Sequence, residues 1–181
     1  QVTGGLKAEK GKLIFEGKHY KYQYLARPLG EEYRNISVQA RFQVPATGAD
    51  VTWQPGLKLY WSKGNYCSFS GGNDQLVISG LGRKTIKLRP GSMAVTDSNL
   101  YDFWLKISLK QDRVSYYSSL DGRTWNLQAE GNRPEAFQKA PALLVIGRGM
   151  EGSGEVFQND ERWDSTANPA LVSEFFVYRE N

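Results

Sequence analysis

Reactive side chains are scarce in this chain. Its 181 residues include one histidine, His19, and one cysteine, Cys67. A lone histidine leaves little room for histidine-dependent catalysis, and its plainer reading is a strand residue with a hydrogen bond. A lone cysteine excludes an internal disulfide and any cysteine-based zinc site. Cys67 alternates with Tyr66 and Ser68, which places it in the core beside Phe69. Oxygen donors cluster at Asn159, Asp160, Glu161 and Asp164. Calcium takes several oxygens from a loop, so Asp160 and Asp164 are the candidate ligands of a structural calcium ion. A solvated acidic loop is the alternative, because the spacing does not follow an EF-hand. Glu155 and Glu161 share strand parity, but Asp160 does not, and the segment reads as loop. Gly147-Arg-Gly-Met-Glu-Gly152 spells a dinucleotide fingerprint. The following Ser153-Gly-Glu-Val-Phe is a poor helix start, and without a helix nothing holds the pyrophosphate.

The aromatic residues offer different chemistry. They make up 13% of the chain, as five Trp, ten Tyr and eight Phe. Aromatic faces stack on the apolar faces of pyranose rings, while neighbouring polar groups bond to hydroxyls. If Leu57, Phe69, Phe103 and Val114 face the core, strand alternation turns Tyr60, Tyr66, Trp104 and Tyr117 outward. Lys58, Ser68, Lys106 and Ser115 accompany them. These residues, with Lys58 and Lys106 as charged partners, form a candidate platform for carbohydrate. Loop residues Trp53, Trp61 and Trp163 are further candidates. A face packed against a neighbouring domain or subunit is the alternative.

The elements that must hold such a face read as strands. Ile36, Val38, Ala40, Phe42 and Val44 alternate with Ser37, Gln39, Arg41 and Gln43, and Pro45 ends the run. Phe103, Leu105, Ile107 and Leu109 point inward from a strand over 101–110, with Trp104, Lys106 and Ser108 outward. Gly56–Ser62 and Asn65–Ser70 predict a hairpin across Lys63-Gly64, and Asp121-Gly122 marks another tight turn before a packed Trp125. Further strands are expected over 12–16, 19–26, 75–79, 84–88, 114–119, 125–128, 142–146 and 171–179. Pro134 suits the start of one short helical turn. With no credible long helix, the chain predicts an all-β, two-sheet antiparallel sandwich forming a single domain over 1–181.

Composition bounds the partners. The net charge of +4 permits an anionic partner without requiring one. Arg83 to Arg89 reads as a charged edge strand, and no nucleic-acid partner is expected. No apolar run approaches the ~20 residues of a membrane span. The start, Gln1-Val-Thr-Gly-Gly, has no signal-peptide pattern, as a trimmed mature chain also would not. Asn35-Ile-Ser37 is a glycosylation sequon, relevant only in a eukaryotic secretory pathway.

Two longer segments carry a resemblance. Gly56-Leu-Lys-Leu-Tyr-Trp-Ser-Lys-Gly-Asn-Tyr-Cys-Ser-Phe-Ser70 contains a G-L-x-L-Y strand and an N-Y return. Trp104 to Trp125 contains an L-x-I-x-L strand and Tyr117-Ser-Ser-Leu-Asp-Gly-Arg-Thr-Trp125. With the closing strand Glu174-Phe-Phe-Val-Tyr178, they resemble the concanavalin A-like lectin/glucanase superfamily. The nearest likeness is to jelly-roll accessory domains of glycoside hydrolase family 43 and related bacterial modules. The resemblance implies a jelly roll, an extracellular or periplasmic setting and, in many members, one structural calcium. It implies a non-catalytic carbohydrate-binding module of a larger extracellular bacterial protein, with oligo- or polysaccharide as partner. The alternative it offers is a structural domain supporting a fused or associated catalytic domain. Glucanases of this superfamily carry E-x-D-x-x-E on one strand, and no strand here has it, so glycosidase or lyase activity is the least expected outcome.

Overall fold

The computed structural model describes residues 6–15, 23–45, 54–72, 75–82, 84–87, 94–96, 100–148 and 170–180. His19, Trp53, Arg83, Arg89, Glu155, Trp163, the motif beyond Arg148 and the calcium candidates Asp160 and Asp164 lie outside them. The described strands, in chain order, are β1 (Leu6–Glu9), β2 (Lys12–Phe15), β3 (Gln23–Pro28), β4 (Ile36–Pro45), β5 (Pro55–Ser62), β6 (Asn65–Gly72) and β7 (Gln75–Ser79). They continue with β8 (Lys84–Lys87), β9 (Ala94–Val95), β10 (Leu100–Lys110), β11 (Arg113–Ser119), β12 (Asn126–Asn132), β13 (Leu143–Arg148) and β14 (Ala170–Arg179). Single 3-10 turns occupy Glu31–Tyr33 and Glu135–Phe137, the second entered from Pro134.

These strands build two antiparallel sheets. One has eight strands in the order β1-β2-β14-β4-β10-β11-β12, with β9 also on β10, and the other has six in the order β3-β13-β5-β6-β7-β8. The result is a β-sandwich of jelly-roll type. Alternation explains the layers: Ile36, Val38, Ala40, Phe42, Leu105, Ile107 and Leu109 are fully buried between the sheets, as their spacing predicts. Leu57, Leu59, Cys67, Phe69, Leu76 and Ile78 meet them from the six-stranded side. The Tyr116 hydroxyl crosses from β11 to donate to the Ser79 carbonyl of β7 at 2.7 Å, and its ring packs edge-on to Phe69. On the edge strand β8, Lys84 and Lys87 are exposed, which blocks further strand pairing.

Cys67 is buried in this core, and burial pushes its thiol up to about 12. A thiol reacts as its thiolate. The native protein is therefore expected not to react with an aromatic disulfide reagent at pH 8, and to react once unfolded in denaturant. Rapid native labelling would contradict the packing.

A second buried polar group ties the ends of strands together. Arg133 follows β12 and is 4% exposed. Its guanidinium donates to the carbonyls of Phe137, Arg34 (2.7 Å), Lys139 (3.1 Å) and Gln111 (3.3 Å), and to Asn35 Oδ1 (3.3 Å). The sequon asparagine thus has its side-chain oxygen engaged in an internal bond.

Candidate functional site

The outward residues of the central strands form the floor of the candidate site. Arg41 on β4 pairs with Trp104 on β10 in the sheet register, and Glu174 on β14 lies opposite Arg41. Arg41 grips Asp102 with both arms, Nε to Oδ1 and Nη2 to Oδ2 at 2.8 Å each, and reaches Glu174 through Nη1 at 3.1 Å. Gln43 donates to the same Asp102 oxygen at 2.9 Å. The hydrogen bonds to Asp102 are the main reason the guanidinium is held above its usual range. This network keeps charged groups on the sheet surface in fixed orientations.

Rings sit beside the network. Trp104, Phe176 and Tyr178 stack in a row with centroids 6.2 Å apart at each step. Trp125 meets Trp104 edge-on at 6.4 Å. The Lys106 ammonium lies over both Tyr117, at 4.6 Å, and Trp125, at 4.2 Å, an arrangement in which the ring faces attract the cation. A groove of about 400 Å³ runs along this surface, walled by the Phe176 and Tyr178 rings and by the Leu120–Arg123 turn. The turn is rigid: Asp121 Oδ1 accepts from the backbone N–H groups of Arg123 (2.8 Å) and Thr124 (2.7 Å) and from Ser119 Oγ (2.9 Å). Those bonds hold the Asp121 carboxyl well below the usual carboxylate range.

The six sequence-predicted site residues are not one platform. Trp104, Lys106 and Tyr117 lie on the outer face of the eight-stranded sheet, while Lys58, Tyr60 and Tyr66 lie on the outer face of the six-stranded sheet, across the sandwich. Trp104 points outward as predicted, yet it is only 6% exposed, because Phe176, Trp125 and Gly122 cover it. It is the floor of the groove. The open rings are Phe176 and Tyr178, 40% and 46% exposed, on the closing strand. A bulge between Val172 and Glu174 reverses the strand's phase, so strict alternation cannot orient both halves. Glu174, Phe176 and Tyr178, spaced by two, were the available signal. Trp61, read as a loop aromatic, ends β5 and is engaged: it stacks on Phe137 at 4.3 Å and donates to the Lys139 carbonyl at 2.8 Å. Gly147 of the fingerprint lies in β13, where a Cβ would come within 2.1 Å of the Gln23 carbonyl oxygen, so close strand approach accounts for it.

Gly122 tests the turn. It sits at φ +71°, and a Cβ there would lie 2.7 Å from the Trp104 indole. Gly122→Ala is expected to cost about 2 kcal/mol, a Tm drop of roughly 4–8 °C, with a change in tryptophan fluorescence. An unchanged emission spectrum would contradict the contact.

Among the described residues no helix is long and apolar enough to cross a membrane, and no group of three or more His, Cys, Asp or Glu residues could hold a metal. No family model and no curated protein matches the sequence. Solved structures do match. The laminarinase catalytic domain from Thermotoga maritima aligns with TM-score 0.65 and 12% identity over 99% of this chain and 82% of that one. The VIP36 exoplasmic/lumenal domain aligns with TM-score 0.58 and 8% identity over 100% and 83%. A bifunctional GH43-CE protein of Bacteroides eggerthii aligns with TM-score 0.59 and 14% identity over 98% of this chain, which spans only 24% of that protein. Identities this low establish the architecture alone, and that architecture is the concanavalin A-like jelly roll.

Proposed function

We propose that the chain is a carbohydrate-binding module that takes an oligo- or polysaccharide in the groove on the eight-stranded sheet. The observation that carries this reading is the exposed pair Phe176 and Tyr178 beside a fixed polar network. Aromatic rings supply the apolar faces that stack on pyranoses, and Arg41, Glu174 and Arg123 supply bonding groups for hydroxyls. The groove carboxylates already have partners: Asp121 its own turn, and Glu174, through Oε1 alone, Arg41. That supports binding over glycoside cleavage, which needs one carboxyl group free as acid and a second as base or nucleophile. Its setting in this reading is a larger extracellular or periplasmic bacterial protein, with individually weak sites strengthened by multivalency. Affinity electrophoresis in gels containing different polysaccharides tests it: the protein is retarded by at least one, and Phe176→Ala weakens that retardation. No retardation across a broad panel would count against it.

One observation favours a second reading. Leu120, Leu127, Phe176 and Tyr178 are all large and exposed on the outer side of the eight-stranded sheet, as at a contact with a neighbouring domain. In that reading the module supports a fused or associated glycoside hydrolase domain. Loss of hydrolase stability on Phe176→Ala, with no effect on glycan retention, would favour it.

A further inference from the structure

We infer that two copies of this chain join along β12, antiparallel about Gly131, so that their eight-stranded sheets run on as one. Among the described residues β1 and β12 end the larger sheet, and β3 and β8 end the smaller. A strand edge offers unpaired N–H and C=O groups, and charged side chains or proline keep it from joining another chain. Three of these edges carry such guards. Lys7 and Glu9 are exposed on β1, Arg27 and Pro28 on β3, and Lys84 and Lys87 on β8. By contrast β12, Asn126-Leu-Gln-Ala-Glu-Gly-Asn132, has no lysine, arginine or proline. Its one charge, Glu130, is drawn back onto β11, where Arg113 and the Ser115 hydroxyl (2.8 Å) donate to it.

The register selects a second copy as the occupant. The Arg133 N–H donates to the Asp112 carbonyl at 2.6 Å, and bonded pairs alternate along an antiparallel ladder, so Gly131 and Ala129 bond to β11. The backbone groups of Glu130 and Asn132 therefore point away from it. An antiparallel copy centred on Gly131 sets Glu130 opposite Asn132 of the second copy, twice over by symmetry. Each such pair exchanges both backbone bonds. Each Glu130 carboxylate also meets an amide and the Arg113 guanidinium that donates to Asn132 at 2.9 Å. Centring on Glu130 instead sets two carboxylates face to face, which is unfavourable. Leu81 lies against Gly131, 3.0 Å from where a Cβ would be, so each copy brings an apolar side chain to the axis. That axis stands perpendicular to the joined sheet, so both outer faces turn the same way and two grooves open side by side. Joint use of the two grooves rests on the proposed function; the pairing does not.

Sedimentation velocity over a concentration series of the full chain tests the pairing. The parent is expected to pass reversibly from monomer to dimer. Asn132→Glu sets like charges opposite each other at both symmetric positions and is expected to weaken association about tenfold. Glu130→Lys, which turns a cation toward Arg113 of the second copy, is expected to weaken it about as much. Mixing the two variants restores association, because the introduced cation then meets the introduced carboxylate, and that rescue shows that both variants fold. Phe176→Ala/Tyr178→Ala dimerises as the parent does, which separates this edge from the groove. A chain that stays monomeric at every concentration overturns the inference. So does a dimer that neither edge variant weakens, or one lost in the groove variant, since its contact then lies on another surface. A dimer weakened by both edge variants and not rescued by their mixture overturns the register about Gly131.

Discussion

Replacing Phe176 and Tyr178 together with alanine is expected to lower affinity for the retained polysaccharide about 30-fold. The two rings are the open members of the Trp104–Phe176–Tyr178 row, and each loses the apolar contact it makes with a sugar face. A stacked ring contributes about 1 kcal/mol through area and ring geometry, so two losses multiply to a factor near that size. Stability changes little by comparison, since both side chains are already substantially exposed. Phe176→Ala also uncovers Trp104, and a red-shifted emission should accompany it. Tyr178→Phe keeps the ring and is expected to retain most of the affinity. If the alanine variant binds as well as the parent, the groove is not the site.

Arg133→Met is expected to destabilise the fold by about 4 kcal/mol, lowering Tm by roughly 8–16 °C. The guanidinium satisfies four backbone carbonyls and the Asn35 side chain at once, where the β12 end, the 3-10 turn and the start of β4 converge. Removing it strands acceptors that water reaches poorly, because the residue is almost wholly buried. Burial is also the main force pushing this guanidinium below its ordinary range, with Arg34 adding to it. Arg133→Lys should recover less than half of the loss, since three donors on one nitrogen cannot reproduce a planar fork. Thermal melts of the two variants check both values. A loss below 1 kcal/mol in the methionine variant would show that the carbonyls find other partners.

Much of the architecture is legible in the sequence because strand alternation is a local signal. Ile36 to Val44 and Phe103 to Leu109 orient themselves, and Lys63-Gly64 marks the β5–β6 hairpin and Asp121-Gly122 the β11–β12 turn. Strand β1 is not legible: Leu6-Lys-Ala-Glu9 offers one large apolar residue and pairs only with β2. The site was harder to read for a related reason. Alternation separates inward from outward within a strand, but it does not say which sheet a strand joins. Lys58 and Lys106 therefore read alike in the sequence and lie on opposite surfaces. The cover over Trp104 comes from Phe176, far along the chain and shifted in phase by a bulge, and no window around Trp104 contains that information.

The central claim is that the face bearing Phe176 and Tyr178 receives a saccharide ring. Chemical-shift mapping with nitrogen-15-labelled protein and the best-retained oligosaccharide tests it most directly. The amides of Gly122, Arg123, Phe176 and Tyr178 and the Trp104 indole are expected to move together and saturably. Saturable shifts confined to other surfaces, with those five signals still, would contradict it.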